Sequence, residues 1–464
     1  MAVANTHFGA DKIARILAGK KAVYFLGIGG ITMSSLAHIT KTAGYKVGGS
    51  DRVRSALTDR LEAEGIEIFE GHRAEQLDGY DALVYTVAVR EDTPELVRAK
   101  ACGIPVFSRA DYLGYLMCGY TRRIGISGMH GKSTVTSMTS EIFLAANADP
   151  TIICGAELSS ICGAYRVGGQ ENFIFESCEY MDSFLDFYPT IAVVLNIELD
   201  HVDYFRDLAQ IRRSFRAYIE KTKGCGCAVL NADDDEVCRM AEGFDGSMLT
   251  FGVRREADVT AKNIETALGR VSFDLCHGSM KKRVHLAVPG EHNVYDALAA
   301  AAAAILCGIP TGDIVRGLER FGGARRRMEY KGERAGVRIY DDYAHHPTEI
   351  AATLSAARSM TDGRVFCAYQ PHTYSRTKGL FDGFVSSLRL ADKTVLADIY
   401  PARETDTLGM SSALLAERIG NGALYLDSFE KIAAYLLENA KPGDIILTMG
   451  AGDITTLSKL LLNA

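Results

Sequence analysis

Lys132, Ser133 and Thr134 close the stretch GISGMHGKST, residues 125–134. An ammonium, two hydroxyls and a run of small residues suit a polyphosphate. Backbone N–H groups of Gly128, Met129, His130 and Gly131 can wrap its oxygens, Lys132 can meet the β- and γ-phosphates, and Ser133 can ligate Mg²⁺. The spacing departs from the template GxxxxGK[ST], which would need glycine where Ile126 stands. Context supports a phosphate loop all the same: RRIGIS before it reads as a strand and the residues after it as a helix, which a chance Gly-Lys-Ser turn would lack.

A second glycine cluster, Gly27, Gly29 and Gly30, follows the apolar run AVYFL and precedes a helical stretch. Missing side chains at such a turn let backbone N–H groups and the helix dipole approach a phosphate. Asp51, at the end of the next strand, stands where dinucleotide folds keep a ribose-binding acid. Taken alone the pattern suggests NAD, but the third fingerprint glycine would fall at Thr32, so a nucleotide, a diphosphate or a purely structural turn stays open.

Other polar residues stand just beyond apolar strands, the edge where open α/β sheets bind ligands. Glu176 follows NFIF directly and is the first magnesium candidate. Asp200 and His201 follow VVLNIEL, and hardness alone favours the Asp oxygen over the imidazole for magnesium. DDYAHHPTEI groups Asp341, Asp342, Tyr343, His345 and His346 before a helix, and YQPHTYSRTK adds His372 and Arg376. A polar helix start explains the first equally well; in the second, arginine can grip a carboxylate or phosphate with two bonds. RRRMEY, with Arg327, reads equally as a solvated charge run.

The elements that must position these residues are legible as rhythm. Three series of short β-rich runs alternate with helical stretches, predicting three α/β domains with mostly parallel sheets: 1–118, 119–323 and 324–464, with a hinge near Gly322 to Arg325. The 464 residues suffice for three cores, with 47% hydrophobic and 23% charged residues. The 51 Lys+Arg against 58 Asp+Glu leave a net charge of −7, which gives no basic footprint for nucleic acid or an anionic membrane. The 11 cysteines show no CxxC pair or zinc spacing, and no signal peptide is evident, which predicts free thiols and a cytoplasmic protein. The alanine-rich run 297–310 is too short to span a bilayer and predicts a buried helix.

Taken together, GIGGITMSS, GISGMHGKST, VPGEHNVYDALAA, DDYAHHPTE, QPHTYSRTK, IYPARE and MGAGD resemble the Mur ligase family over nearly the whole chain. Its phosphate loop has the extended form GxxGxxGK[ST], which Gly125 and Gly128 satisfy. The resemblance is to the type that joins L-alanine to UDP-N-acetylmuramate, with its tripeptide-recycling relative the nearest alternative. It implies a Rossmann-like domain for the UDP-sugar, a central phosphate-loop ATPase domain, and a C-terminal Rossmann-like α/β domain that closes over ATP and helps bind the amino acid. It assigns Gly27, Gly29, Gly30, Ser50, Asp51 and His72 to the UDP-sugar. ATP falls to Gly128, Met129, His130, Gly131, Lys132, Ser133, Thr134, Asn293, Arg327 and Asp342. Two Mg²⁺ ions (or Mn²⁺) fall to Ser133, Glu176 and His201, contrary to the hardness argument. Tyr343, His345, His372 and Arg376 would face the substrates, and Lys132, Glu176, His201, His345 and Arg376 would carry the chemistry. Cys178 stands where many relatives have an acid, and Thr373 where many have arginine. The implied partners are small molecules alone, and the implied assembly is a monomer or homodimer. An NAD-dependent oxidoreductase and a non-enzymatic nucleotide switch are readings from other classes; the oxidoreductase leaves Lys132 and the carboxylates unexplained.

Overall fold

Short runs rich in Val, Ile, Tyr and Phe form the strands, and their nearly unbroken burial marks sheets covered on both faces. The structure, a computed structural model, describes residues 4–201, 204–402, 404–406 and 408–463. In the N-terminal part, β1 (Ala22–Leu26), β2 (Lys46–Asp51), β3 (Glu67–Glu70), β4 (Ala82–Tyr85) and β5 (Val106–Ser108) form a parallel sheet in the order β3-β2-β1-β4-β5. The order reverses between β1 and β4, opening a crevice at the carboxyl ends of the strands. The turn Gly27–Gly30 leads from there into the helix Ile31–Thr42.

The second sheet contains β6 (Arg122–Ser127), β7 (Thr151–Leu158), β8 (Gly163–Arg166), β9 (Asn172–Glu176), β10 (Ile191–Val194), β11 (Cys227–Asn231), β12 (Met248–Gly252), β13 (Val259–Ala267), β14 (Arg270–His277) and β15 (Met280–Leu286). Their order is β15-β14-β13-β12-β11-β10-β6-β9-β7-β8. From β13 to β7 neighbours run parallel, with β6 held between β10 and β9. The β13-β14-β15 edge is antiparallel, a feature absent from the α/β rhythm expected from sequence. Its last strand, MKKRVHL, is largely solvated, so no apolar run announces it. The alanine-rich run lies within the helix His292–Leu306, where Ala297 to Ala304 are fully buried beside the helix Lys132–Ala145.

In the third sheet, β16 (Glu329–Arg334), β17 (Val337–Asp342), β18 (Val365–Tyr369), β19 (Lys393–Leu396), β20 (Leu424–Tyr425) and β21 (Ile445–Met449) are ordered β16-β17-β21-β18-β19-β20. Among the described strands of this sheet, only β16 runs antiparallel to its neighbour.

The three parts are joined in different ways. One continuous apolar cluster runs from Phe25, Phe107 and Tyr112 of the first into Phe173, Phe184 and Phe215 of the second. The third keeps separate clusters around Leu354 and Phe384, and around Ile446 and Leu436. No helix among the described residues is long and apolar enough to cross a membrane.

Candidate active site

The stretched glycine spacing has a packing explanation. Gly125 lies inside β6, where a Cβ would come 2.2 Å from the Tyr218 hydroxyl and 2.6 Å from Ser177 Oγ. It therefore belongs to the strand and its core contacts. The loop proper starts at Gly128 (φ 141°) and ends at Gly131 (φ 85°), backbone that L side chains rarely adopt. Lys132 then begins the helix, with Nζ held by the Met129 carbonyl at 3.1 Å and Glu179 Oε2 at 3.0 Å. Glu179 is fully buried. Burial opposes its ionisation, but Lys132 and His201 outweigh that effect and hold the carboxyl below its usual range.

Glu176, the last residue of β9, pairs with Ile126 of β6 and accepts a hydrogen bond from the Gly155 amide. His201 Nε2 lies 3.3 Å from Glu179 Oε1. Its neighbour Asp200 is engaged by Arg376 of the C-terminal domain, Nε to Oδ1 at 3.0 Å. That pairing engages the oxygens that hardness alone would favour, while the imidazole stands beside Glu179. Cys178, next to Glu179, has its thiol pushed up by burial and by that carboxylate.

A cavity of about 470 Å³ lies between the second and third domains. His130, Gly131, Thr134, Asn293, Arg327 and Asp342 all line it. Asn293 Nδ2 donates to the Pro289 carbonyl at 2.7 Å. Asp342 is spent largely on its own loop, accepting from Met328 N at 2.7 Å and Ala344 N at 2.8 Å; burial raises its carboxyl. Arg327 faces Glu349 at 3.9 Å and the Tyr343 ring at 5.2 Å. Asp296 reaches the cavity wall from the helix His292–Leu306, and burial pushes its carboxyl up to about 8 against the pull of Arg327.

On the C-terminal side, His345 Nδ1 sits 3.3 Å from Glu349 Oε2, and its ring lies 6.0 Å from that of His372. His372 stacks on Tyr400 and contacts Arg376 at 3.3 Å; burial, then His345 and Arg376, push its imidazole down to about 4. Thr373 adopts φ 66° and caps the short helix carrying Arg376, its hydroxyl accepting from the Arg376 amide at 3.4 Å. A β-branched residue there is strained.

In the N-terminal crevice, the Gly29 amide donates to Asp51 Oδ2 at 2.8 Å, so this acid braces the glycine turn. Ser50 Oγ donates to Glu95 Oε1 at 2.7 Å, and His72 Nδ1 lies 3.1 Å from the same oxygen.

Comparison with known proteins finds three family models along the chain. Residues 22–121 match a family model described as "Mur ligase family, catalytic domain", 126–304 the "Mur ligase middle domain", and 326–452 "Mur ligase, glutamate ligase domain". A UDP-N-acetylmuramate--L-alanine ligase of Clostridium novyi (strain NT) is 47% identical over 96% of this chain and 98% of that protein. The chain belongs to the Mur ligase family. The crystal structure of the UDP-N-acetylmuramate-alanine ligase MurC from Thermotoga maritima has a TM-score of 0.79 at 26% identity, covering 96% of this chain and 98% of that one. A murein peptide ligase from Psychrobacter arcticus 273-4 shares the fold, with a TM-score of 0.68 at 24% identity and coverage of 96% and 98%.

As a Mur ligase the chain is an ATP-dependent amide-forming enzyme, and the fold is the three-domain α/β arrangement expected. The structure gathers Lys132, Ser133, Glu176 and His201 at the carboxyl ends of adjacent strands β6, β9 and β10. It does not bring Glu176 and His201 into one tight ligand cluster. Among the described residues, three His, Cys, Asp or Glu side chains reach that spacing only at His130, Glu198 and His346. Sequence reasoning missed the roles of Glu95, Glu198 and Asp296, and of Glu349 beyond its place in a helix start. Their signal is tertiary, because each acts on a residue distant in the chain. All eleven cysteines are free thiols.

Proposed function

We propose that this Mur ligase joins L-alanine to the lactyl carboxylate of UDP-N-acetylmuramate, forming UDP-N-acetylmuramoyl-L-alanine, ADP and phosphate in peptidoglycan precursor synthesis. One observation carries the reading: the nucleotide-sized cavity behind the phosphate loop is lined by Glu349, which contacts His345, and beyond it the third domain places His372 and the Arg376 guanidinium. Likeness to named L-alanine ligases over nearly the full chain supports the same substrate pair.

The chemistry is dictated by the leaving group. A carboxylate cannot acylate an amine, because oxide would have to depart. The lactyl carboxylate attacks the γ-phosphorus of ATP, ADP leaves, and an acyl phosphate forms. The neutral amine of L-alanine then attacks the activated carbonyl, and phosphate departs as the amide forms. Positioning and charge stabilisation carry most of this. Lys132 and Arg327 neutralise charge on the transferring group, Arg376 orients the acid, and His345 takes the proton from the ammonium. Ser133 and Glu176 offer the oxygen donors magnesium prefers, and His201 a third position near the loop. Held by these residues, Mg²⁺ would supply further positive charge to offset that of the transferring group. Closure of the third domain keeps water from the acyl phosphate.

The test is phosphate release with UDP-N-acetylmuramate, ATP, Mg²⁺ and L-alanine, each omitted in turn. Full dependence on all four is expected. Turnover with a preformed tripeptide and none with free L-alanine would instead place the chain with the recycling ligases.

A further inference from the structure

Three side chains meet at the seam between the phosphate loop and the C-terminal domain. His130 comes from the loop, Glu198 from the segment after β10, and His346 from the N-cap of the helix Pro347–Ser359. His130 Nε2 lies 3.3 Å from Glu198 Oε2, and His346 Nδ1 lies 3.6 Å from the same oxygen. All three donor atoms fall within 4.8 Å of one another. Ligands about 2.0–2.1 Å from a tetrahedral metal are spaced by roughly 3.3 Å, so two of these separations are already near coordination spacing.

The nitrogens facing away from the cluster have partners of their own. A metal-binding imidazole characteristically gives its other N–H to a carboxylate or a backbone carbonyl, which fixes the tautomer and aims the lone pair. His130 Nδ1 is 3.2 Å from Glu349 Oε1. His346 Nε2 is 3.4 Å from the Leu199 carbonyl. Both rings thus have an outer acceptor on the nitrogen that would not ligate, and a metal at His346 Nδ1 would replace the hydrogen bond that atom takes from the Thr348 amide at 3.4 Å. The imidazole side chains are 12% and 6% exposed and the Glu198 side chain 34%, so the two rings are screened and solvent reaches the site from the carboxylate side.

We infer that His130, Glu198 and His346 form a site for a zinc-class divalent metal that clamps the C-terminal domain onto the phosphate loop. Two imidazoles and one carboxylate suit Zn²⁺ or Co²⁺ better than Mg²⁺, which prefers all-oxygen shells. Water completes the coordination. Because the ligands come from two domains, occupancy holds the closed form, and turnover slows as product release is hindered.

The test uses the full chain, dialysed against Zn²⁺ or Co²⁺ alone. One metal per chain is expected, with a Co²⁺ spectrum typical of tetrahedral nitrogen and oxygen ligands. His346→Asn retains a good helix cap, and should weaken the metal at least tenfold and relieve Zn²⁺ inhibition. Glu198→Gln, a second variant with an independent fold check by melting temperature, should weaken it likewise. Unchanged affinity in a folded variant, absence of binding, or thiolate charge-transfer bands from the free cysteines would overturn the site.

Discussion

At the scale of single residues, the site divides by what each charge touches. Lys132 is held by loop carbonyls and by buried Glu179, whereas Arg376 spans to Asp200 from another domain. Lys132→Ala should lower UDP-sugar-dependent ADP release by at least about a hundredfold, as losing a transition-state cation does. Arg376→Ala should reduce amide formed per ATP consumed far more than it weakens ATP binding, because it also removes the pair with Asp200. Equal loss of ATP affinity in both variants, measured by calorimetry, would show that the two cations do not serve separate ligands. Asp296 carries a prediction about pH. Burial raises its carboxyl to about 8, so it is mostly neutral near pH 7 and ionises above its raised value. Asp296 stands against Gly131 of the phosphate loop, where the proposed reading puts the triphosphate, and a new negative charge there would oppose binding. The KM for ATP should therefore rise several-fold from about pH 7 to about pH 9. Asp296→Asn mimics the neutral acid and should flatten that rise; an identical profile in the variant would exonerate Asp296.

At the scale of elements, parallel topology explains why the candidate site's residues could be picked out in sequence. Each parallel strand ends at the ligand edge, so Gly27, Gly128, Glu176, His201, Asp342 and His372 could be located by reading the residues just past an apolar run. The residues that escaped that reading are held by tertiary partners. Glu95 looks like an ordinary acid in the first turn of the helix Pro94–Ala101, yet it is fully buried under Ser50 and His72. The antiparallel edge escaped for the opposite reason, because its charged strands lack a continuous apolar pattern. Thr373 shows the limit of reading a motif by identity: the family resemblance leads one to expect arginine there, and the residue acts here as a strained helix cap. Glu95→Gln keeps shape and removes charge, so the hydrogen bonds that aim Ser50 and His72 weaken. A rise of about tenfold in the KM for UDP-N-acetylmuramate is expected, the equivalent of about 1.4 kcal/mol, with the KM for ATP unchanged. Parallel shifts in both constants would point to a fold defect, which a melting curve would expose.

At the scale of the whole molecule, the contrast between interfaces says which part moves. The first two domains share an apolar cluster, and separating them would expose its aromatic residues to water. The third meets the second through ion pairs and hydrogen bonds, among them Arg376 with Asp200, Glu349 with His130, Thr348 with Glu198 and Arg325 with Glu157. Polar interfaces of this kind are the ones expected to open and close. The pair most shielded from water is Arg376–Asp200, with side-chain exposures of 11% and 6%. Burial opposes ionisation of Asp200, but Arg376 and then His201 outweigh it and hold the carboxyl well below the usual range. A depressed carboxyl stabilises the closed form above its unfolded value, near 3.8, and that stabilisation is lost only as the pH falls toward the folded value. This latch therefore stays constant across neutral pH. Asp200→Asn leaves a buried guanidinium without its counter-charge, a change that costs about 3–5 kcal/mol where the pair is fully enclosed. The third domain should then swing outward, with a larger radius of gyration by X-ray scattering in the presence of ATP, while the first two remain docked. Water should reach the acyl phosphate, so that phosphate release exceeds amide formation. A variant as compact and as tightly coupled as the native enzyme would mean that the remaining contacts of this interface suffice to hold it shut.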